Sequence, residues 1–397
     1  MNRLLPVFVL LLCLAACTTS SDDPGAPPVP ANFVASGSFD LISLSWNAVS
    51  ASALTGYNIY RSAGGASYSL LATVTGTTYD DAIDSSGDYG ILYYYYVTAV
   101  AGEESDPSDS ATQMYGTRLP ALYEASSEYS LAAASSPYVL DGSSSFYADL
   151  TIPADTSLYF LPGSMLTMIT TSTTAGEGPQ LMCEGTIQSL GTAEHPVTMT
   201  CTQIDGSDPV NQTGFTPLFY SAVSWDSATG TGTMMRYTRM TNVRSYIVLD
   251  GTTAYLENCY FTTGPNDVAS FVVSGTGNGT IVEHCLFTNM PLDIRADLRS
   301  SGFSFTQNRI RCSTYGWVMF FSGAVGQVLN GGQVSQNHID GTKGIEIYNN
   351  TASVAIPLSG NYWDGGTPTV GQGTGVNATI DFTPALASAP TGAGPSW

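Results

Sequence analysis

Lysine is almost absent from this sequence, and charged side chains of any kind are scarce. Lys343 is the single lysine among 11 lysine and arginine residues, charged residues make up 11% of the 397 residues, and the formal net charge is −21. Proteins that bind phosphate backbones need clusters of lysine and arginine. The sequence therefore predicts no nucleic-acid partner. The same acidity predicts repulsion of polyanionic glycans unless a bound cation or a local basic patch intervenes.

Histidine is scarce as well, which bears on metal binding. The three histidines, His195, His284 and His338, lie far apart in the sequence. No set of cysteine and histidine residues has the spacing of zinc ligands. The sequence thus argues against a metal site of the zinc type.

Long apolar runs are missing except at the N-terminus. Arg3 precedes the apolar run 4–14, which is too short to span a bilayer comfortably, and two alanines precede Cys17. Residues 14–17 (Leu-Ala-Ala-Cys) resemble a bacterial lipobox, which implies that Cys17 is lipidated. Thr18 in place of aspartate favours the outer membrane. We expect a lipoprotein signal peptide at 1–17, a tether at 18–27 and a lipid-anchored protein of the cell envelope, at the outer membrane or cell surface; the alternative is an ordinary signal peptide.

A six-residue segment recurs six times in the second half of the chain. The copies begin at residues 235, 256, 282, 305, 334 and 358, so the steps are 21, 26, 23, 29 and 24 residues. The first and sixth positions are apolar in every copy. The fourth position is occupied by Thr238, Cys259, Cys285, Asn308, Asn337 and Asn361. Steps of this length are typical of the coils of a solenoid.

A second apolar series lies between these segments. Most of its members have another apolar residue two positions on, as expected of a strand with one inward face. The series comprises Ile247, Phe271, Ile294, Val318 and Ile345. Strands separated by Gly, Asn, Thr and Ser leave no room for helices, so the pattern predicts a parallel β-helix. A β-sandwich with accidental spacing is the alternative.

Several short motifs resemble those of a known superfamily. They lie at residues 136–140, 161–163, 185–187, 191–200 and 360–363. The first four resemble the opening coils of bacterial right-handed parallel β-helix proteins of the pectate-lyase-like superfamily, and the last resembles their closing coil. The resemblance implies a right-handed β-helix at 131–390, preceded by a linker at 118–130 and followed by a tail at 391–397. These motifs mark the fold rather than an activity.

Residues 28–117 form a separate all-β module. Trp46 ends an alternating strand, Gly56–Arg61 forms a second strand, and Tyr93–Val100 forms a third. The set resembles a fibronectin type III domain with Trp46 in its core. Alternation directs Tyr94 and Tyr96 outward, and we interpret the tyrosine run as structural packing and the module as a spacer.

The cysteines leave one question open. After removal of Cys13 and lipidation of Cys17, an odd number remains: Cys183, Cys201, Cys259, Cys285 and Cys312. Cys259 and Cys285 occupy the same column one coil apart, where neighbouring strands are ~4.8 Å apart. A disulfide or a stacked pair of free thiols fits this position.

One cluster of polar residues on the last coils is a candidate catalytic or metal site. Arg309 and Arg311, then His338 and Asp340, then Asp364 project outward on successive coils. Asp340 and Asp364 share a column, so their backbones lie ~4.8 Å apart. Two carboxylates at this spacing suit calcium, a raised pKa, or the ~5 Å separation of retaining glycosidases.

Ion pairing is the structural alternative for these charges. Arg311 beside Asp340 fits a cross-coil ion pair, and Arg236 beside Glu257 fits the same device on another face. A further charged stretch at residues 293–299 is interpreted as a solvated strand edge.

Two functions follow from these features. The sequence favours an exported protein with a non-catalytic β-helix face that binds glycans or other envelope components, because the catalytic motifs of the superfamily are missing. The alternative is an extracellular polysaccharide lyase or glycoside hydrolase with its site on the lateral face of the last coils. No cofactor is required by the sequence, and calcium is the candidate at Asp340 and Asp364.

Overall fold

The computed structural model describes residues 25–82, 90–125, 127–174, 177–209, 214–220, 229, 232–264, 269–274, 280–295, 303–314, 316–322, 334–348, 355–372 and 379–396. The expected signal peptide, Cys17 and most of the tether lie outside these residues. The chain folds into two compact units. The first includes Ser43–Tyr79 and Tyr93–Thr112, and the second consists mainly of the chain from Gln113 onward.

The N-terminal module is a sandwich of two sheets. Its strands are β1 (Val34–Gly37), β2 (Leu41–Ser45), β3 (Gly56–Ala63), β4 (Ser69–Val74), β5 (Thr78–Ala82), β6 (Tyr93–Ala101), β7 (Glu103–Glu104) and β8 (Ala111–Gln113). One sheet has the order β1-β2-β5, and the other has the order β4-β3-β6-β7 with β8 paired to β6. The strands β4, β3, β6 and β7 pair antiparallel.

The tyrosine run alternates as the sequence predicts. Tyr93 and Tyr95 are buried in the module core, whereas Tyr94 and Tyr96 are partly exposed. Trp46 is 5% exposed and packs edge-on against Tyr57, with ring centroids 5.4 Å apart. This contact confirms Trp46 as a core residue.

The rest of the chain winds into coils of short strands. They are β9 (Thr117–Arg118), β10 (Leu122–Tyr123), β11 (Tyr129–Ser130), β12 (Tyr138–Leu140), β13 (Ser143–Phe146), β14 (Leu150–Ile152), β15 (Ser157–Phe160), β16 (Met165–Thr170), β17 (Gln180–Cys183), β18 (Thr186–Leu190), β19 (Val197–Gln203), β20 (Thr216–Tyr220), β21 (Met234–Arg236), β22 (Thr238–Val243), β23 (Ser245–Asp250), β24 (Tyr255–Glu257), β25 (Tyr260–Thr263), β26 (Ala269–Ser274), β27 (Ile281–Glu283), β28 (Leu286–Thr288), β29 (Leu292–Arg295), β30 (Ser304–Thr306), β31 (Arg309–Arg311), β32 (Trp317–Ser322), β33 (Val334–Ser335), β34 (His338–Asp340), β35 (Gly344–Tyr348), β36 (Ala355–Pro357), β37 (Tyr362–Asp364), β38 (Val370–Gln372) and β39 (Thr379–Asp381).

These strands stack into three parallel sheets, one strand of each per coil. Sheet H1 contains β9, β12, β15, β18, β21, β24, β27, β30 and β33. Sheet H2 runs in steps of three from β10 to β37, and sheet H3 runs in the same way from β11 to β38. Strands β36 and β39 form a separate pair. Successive parallel strands joined by crossovers of one hand make a right-handed parallel β-helix.

The six-residue repeat corresponds to the bend from H1 to H2. Its first column, from Met235 to Leu358, and its sixth column, from Met240 to Trp363, are buried in one continuous apolar core. The strand register joins these residues coil to coil, as in the pairing of Phe261 with Phe287. The predicted inward columns are therefore confirmed.

A ladder of side chains inside the same bend explains its fourth column. The backbone N–H of Asn308 donates to Oδ1 of Asn337 at 2.8 Å, and the Asn337 N–H donates to Oδ1 of Asn361 at 3.1 Å. In the earlier coils sulfur takes the place of the amide oxygen, because the Cys259 N–H lies 3.4 Å from Sγ of Cys285. Each coil thus uses the next coil's side chain to satisfy a buried backbone donor.

The second apolar series is aligned differently from the prediction. Phe271 pairs with Leu292 rather than Ile294, and Ile294 pairs with Phe321 rather than Val318. Residues two apart face the same side of a strand, so a slip of two leaves the apolar pattern unchanged. At Val318 the register between β32 and β35 shifts, which marks a bulge.

The β-helix starts earlier than the sequence indicates. Residues 118–130, interpreted as a linker, contain β10 and β11, which pair in parallel with β13 and β14. At the other end, the tail follows the bend between H1 and H2. The Gly394 N–H donates to the Gln307 carbonyl at 2.9 Å, and His284 Nδ1 lies 2.9 Å from the Gly392 carbonyl oxygen.

Within the described ranges, no helix is long and apolar enough to cross a membrane.

Candidate functional site

The polar residues predicted on the last coils lie together on the outer side of H2. Arg309 pairs with His338, and Asp340 pairs with Asp364 in the strand register. The stacked strands therefore align the two carboxylates, as the repeat predicts. Together with Arg311 and Lys343 they line a depression of about 630 Å³.

Each carboxylate in this depression has its own internal partner. Oδ2 of Asp364 lies 3.2 Å from Nε2 of His338. Oδ1 of Asp340 accepts hydrogen bonds from the backbone N–H and the hydroxyl of Thr342, at 3.0 and 2.5 Å. The two aspartates are thus held by different donors. The strand register aligns their backbones, while each carboxylate has a different hydrogen-bond partner.

The described side chains bear on two predictions for these charges, a calcium site and cross-coil ion pairs. Across the part of the chain that the structure describes, no three His, Cys, Asp or Glu side chains are grouped to hold a metal ion. Calcium takes about six to eight oxygen ligands, of which Asp340 and Asp364 would supply a part, so calcium at this pair stays a prediction. The described contacts also include no ion pair between Arg311 and Asp340. The Arg236–Glu257 pair is confirmed, with an N–O distance of 2.8 Å.

Arg309 is the least satisfied cation of this cluster. Its Nε is buried and has no hydrogen-bond partner. Burial lowers the pKa of its guanidinium, the neighbouring Arg311 lowers it further, and Asp364 partly offsets both. The outer side of H2 therefore carries a small local excess of positive charge on an acidic protein.

The cysteines of the described ranges form no disulfide, which decides between the two alternatives for Cys259 and Cys285. All five are buried thiols. Burial raises the pKa of Cys285 well above its ordinary value, and it raises the pKa of Cys183 and of Cys312 to about 12. Thiols with raised pKa values are poor nucleophiles and metal ligands. These cysteines serve packing and the ladder.

A second group of residues lies on the outer side of H3, where the sequence suggested a solvated edge. That interpretation is wrong for Asp293, which is 7% exposed and forms an ion pair with Arg295 at 2.7 Å, whereas the Arg295 side chain is 43% exposed. The Arg295 guanidinium also lies 5.0 Å from the ring centre of Tyr246. Burial raises the pKa of Asp293, and Arg295 partly offsets the shift. Residues 296–299 lie outside the described residues.

Three columns of side chains make up this surface, which we call the H3 face. Its members are Tyr246, Asp293, Arg295, Trp317, Phe320, Glu346 and Tyr348. The register places Asp293, Phe320 and Glu346 in one column on three successive coils. In the preceding coils the same column holds Leu218, Val248 and Val272, a buried apolar cluster separate from the main core. Apolar and aromatic side chains thus follow the outside of H3 along the helix axis.

Trp317 forms a flat floor at one end of the H3 face. A β-carbon added at Gly371 would lie 2.7 Å from Cη2 of the indole, and one added at Gly344 would overlap Cε3 and Cζ3. The six-membered ring therefore lies directly on two glycines of successive strands. Trp317 stays partly exposed and outside the core, because the bulge at the start of β32 turns it outward.

Two further rings continue this floor. Phe320 and Tyr348 stack with centroids 6.3 Å apart and an interplanar angle of 17°. Tyr348 is 40% exposed, and a hydrogen bond with Glu346 together with burial raises the pKa of its hydroxyl to about 12. The H3 face therefore combines exposed ring surface with oriented carboxylates, the combination found in sites that bind ligands through a few polar groups on an apolar wall.

The sequence analysis did not identify the aromatic part of the H3 face. The signal lay in Trp317 and Phe320, which flank core residues on one strand, and in one glycine on each of the next two strands of H3, Gly344 and Gly371. The bulge at Val318 changes which residues face outward, so the alternation alone pointed to the wrong column.

Known proteins are similar to each part of the chain. The chain is 40% identical to an amylopullulanase of Thermoanaerobacterium saccharolyticum over 90 residues, which is 22% of this chain and 7% of that protein. An Fn3-like protein from Clostridium thermocellum is 34% identical over 22% of this chain and 91% of its own, with a TM-score of 0.19. A pectate lyase from Erwinia chrysanthemi is 11% identical over 89% of this chain and 98% of its own, with a TM-score of 0.19.

No protein-family model matches the chain. The chain spans only 7% of the length of the curated relative, so that relative's activity is not transferred. The fold assignment rests on the sheet topology described above. The chain combines a fibronectin type III-like sandwich with a right-handed parallel β-helix.

Proposed function

We propose that this protein binds glycans through the H3 face of its β-helix, without catalysis. The observation that carries the proposal is the indole of Trp317, which lies flat on Gly344 and Gly371 and is partly exposed. Sugar rings have apolar faces that pack on aromatic rings, and their hydroxyl groups hydrogen-bond to carboxylates. Tyr348 and Glu346 supply both kinds of contact beside the indole.

The electrostatics of the face favour binding over catalysis. Hydrolysis of a glycosidic bond needs two carboxyl groups on either side of it, one as acid and one as base or nucleophile. Asp293 is buried and paired with Arg295, and Glu346 is engaged with Tyr348. Burial and the ion pair keep the Asp293 carboxylate from a scissile bond, so Asp293 and Glu346 do not supply the two carboxyl groups that hydrolysis needs.

Binding assays with one aromatic variant test the proposal. Affinity electrophoresis and calorimetry with a panel of soluble polysaccharides should detect a ligand for the full chain. Trp317→Ala should weaken it at least about tenfold, in the range of a central aromatic anchor. Tyr260→Ala is the matched control, since Tyr260 is a partly exposed tyrosine on the outer side of H2. A panel without any ligand, or equal losses in both variants, would refute the proposal.

The depression on H2 supports a second candidate function, cleavage of polysaccharides. Its volume of about 630 Å³ and its lining by Asp340, Asp364, His338 and Arg311 motivate the alternative. His338 and Asp364 at 3.2 Å form an acid–base pair in hydrogen-bond contact. New reducing ends or unsaturated products that disappear in Asp364→Asn, with binding to the H3 face intact, would establish it.

We also propose that Cys17 anchors the protein to the cell envelope. The lipobox-like residues 14–17 and the polar segment that follows support this. Labelling with palmitate in a bacterial host and recovery in the membrane fraction should both be lost in Cys17→Ser. An unlabelled wild-type protein in the medium would exclude the anchor.

A further inference from the structure

We infer that the H3 face selects neutral glycan chains over acidic ones, and that the chain lies along the helix axis; this inference rests on the proposed function. It concerns the class of glycan and the direction in which the glycan chain lies. The first depends on the charges of the H3 face and the second on the spacing of its aromatic rings. Both are fixed by the register of H3.

The charge of the face excludes acidic chains. Its described charged residues, including Asp250 at the neighbouring position, are three carboxylates and one guanidinium. Arg295 is already occupied by Asp293 at 2.7 Å and by the ring of Tyr246. No free cation therefore remains on the described part of this face to receive a uronate or a sulfate.

The rest of the molecule reinforces this selection. The formal net charge of −21 adds a general repulsion of polyanions. A neutral glycan avoids the repulsion, and its hydroxyl groups donate hydrogen bonds to carboxylates such as Glu346. The negative charges thus contribute to selectivity mainly by repelling acidic glycans.

The positions of the aromatic rings determine the direction in which the glycan chain lies on the H3 face. Tyr246 lies on β23 and Tyr348 on β35, four strands apart in H3, and the Trp317 ring lies over β35 and β38, at the same end as Tyr348. At ~4.8 Å for each step, the outer rings are separated by about 19 Å along the axis. That distance exceeds a disaccharide and suits a chain of several sugar units. The rings are much closer together across the sheet, because they occupy neighbouring columns.

Because the Trp317 indole lies flat on two glycines, its part in orienting the glycan chain can be tested without removing the ring. Gly371→Ala adds a methyl group 2.7 Å from Cη2 and forces the indole away from the sheet. Gly366→Ala is unsuitable as its control because Gly366 has a φ of 107°. Gly316 has open space around its α-carbon and an ordinary φ, so Gly316→Ala is the matched control.

The experiment compares neutral and acidic oligosaccharides on the full chain. Calorimetry would use cellohexaose, maltohexaose and a galacturonate hexamer, each with the corresponding disaccharide, at low and physiological ionic strength. We expect at least one neutral hexamer to bind about tenfold or more tightly than its disaccharide, independently of salt, and the galacturonate hexamer not to bind. Gly371→Ala should weaken the neutral hexamer about tenfold, and Gly316→Ala should leave it unchanged.

A second variant addresses charge directly. Glu346→Gln keeps a hydrogen-bonding group beside Tyr348 and removes one negative charge, so it should raise the affinity for the galacturonate hexamer relative to that for the neutral hexamer. Tighter binding of the galacturonate hexamer by the wild type, or equal binding of disaccharide and hexamer, would overturn the inference and leave glycan binding intact. Absence of binding to every saccharide would instead refute the proposed function itself.

Discussion

Phe287 occupies the middle of the β-helix core, and its replacement by alanine tests the packing most directly. The side chain is 1% exposed. Its ring stacks on Phe261 at 5.1 Å and contacts Phe271 and Phe305 at 5.0 and 5.5 Å. These rings come from all three sheets of neighbouring coils, so the site joins the sheets as well as the coils.

The expected loss of stability follows from these contacts. Truncation of a buried phenylalanine to alanine costs about 3–5 kcal/mol, and aromatic pairs contribute about 0.5–1.5 kcal/mol beyond their buried area. The coils on either side are held by backbone hydrogen bonds, so they cannot collapse into the cavity. We therefore expect the free energy of unfolding to fall by about 5 kcal/mol for Phe287→Ala.

Urea unfolding followed by circular dichroism measures this change. Thr306→Ala is the control, because Thr306 faces outward on β30 and is partly exposed; it should cost less than about 0.5 kcal/mol. Phe287→Leu should recover more than half of the loss by refilling most of the volume. A loss below about 1 kcal/mol for Phe287→Ala, or one equal to that of the control, would show that the inward register is wrong.

Three further outcomes are expected. Asn337→Leu should lower the free energy of unfolding by about 2–4 kcal/mol in urea, since it strands the Asn308 N–H and the Phe305 carbonyl; Asn337→Cys should cost less, because sulfur can accept the same N–H. Burial raises the pKa of Asp293 above 3.8, so its contribution to stability is present below that value and is lost as the pH rises through the folded pKa. Asp293→Asn should therefore gain stability relative to wild type between acid and neutral pH in thermal melts, and a constant difference would contradict the shift. The five described thiols should react with Ellman's reagent only as fast as the protein unfolds, and rapid labelling of the native protein would contradict their burial.

Much of the fold could be predicted from local patterns. The columns of the six-residue repeat were correct because each copy places its apolar residues at the same distance from a short bend, and the bend fixes the register. The second apolar series was misaligned because nothing local distinguishes Ile294 from Leu292, which face the same side of β29. The first coil was missed because its strands are only two residues long.

The candidate sites could likewise be predicted from the sequence only in part. Asp340 and Asp364 were correctly placed in one column, since both lie one residue beyond an apolar column of the repeat. Their separate partners, His338 and Thr342, depend on side-chain directions that the spacing does not encode. The ion pair expected between Arg311 and Asp340 is absent from the described contacts, whereas the one between Arg236 and Glu257 is present.

The sequence by itself determined the solenoid, the inward columns and the acidity of this protein, because each is a property of residue type and spacing along the chain. Only the tertiary structure decided the character of the H3 face. Trp317, Gly344 and Gly371 are separated by whole coils and meet only when three strands stack in register. The burial of Asp293 likewise depends on Arg295 and on side chains from neighbouring coils, since a strand alone would leave its carboxylate in water.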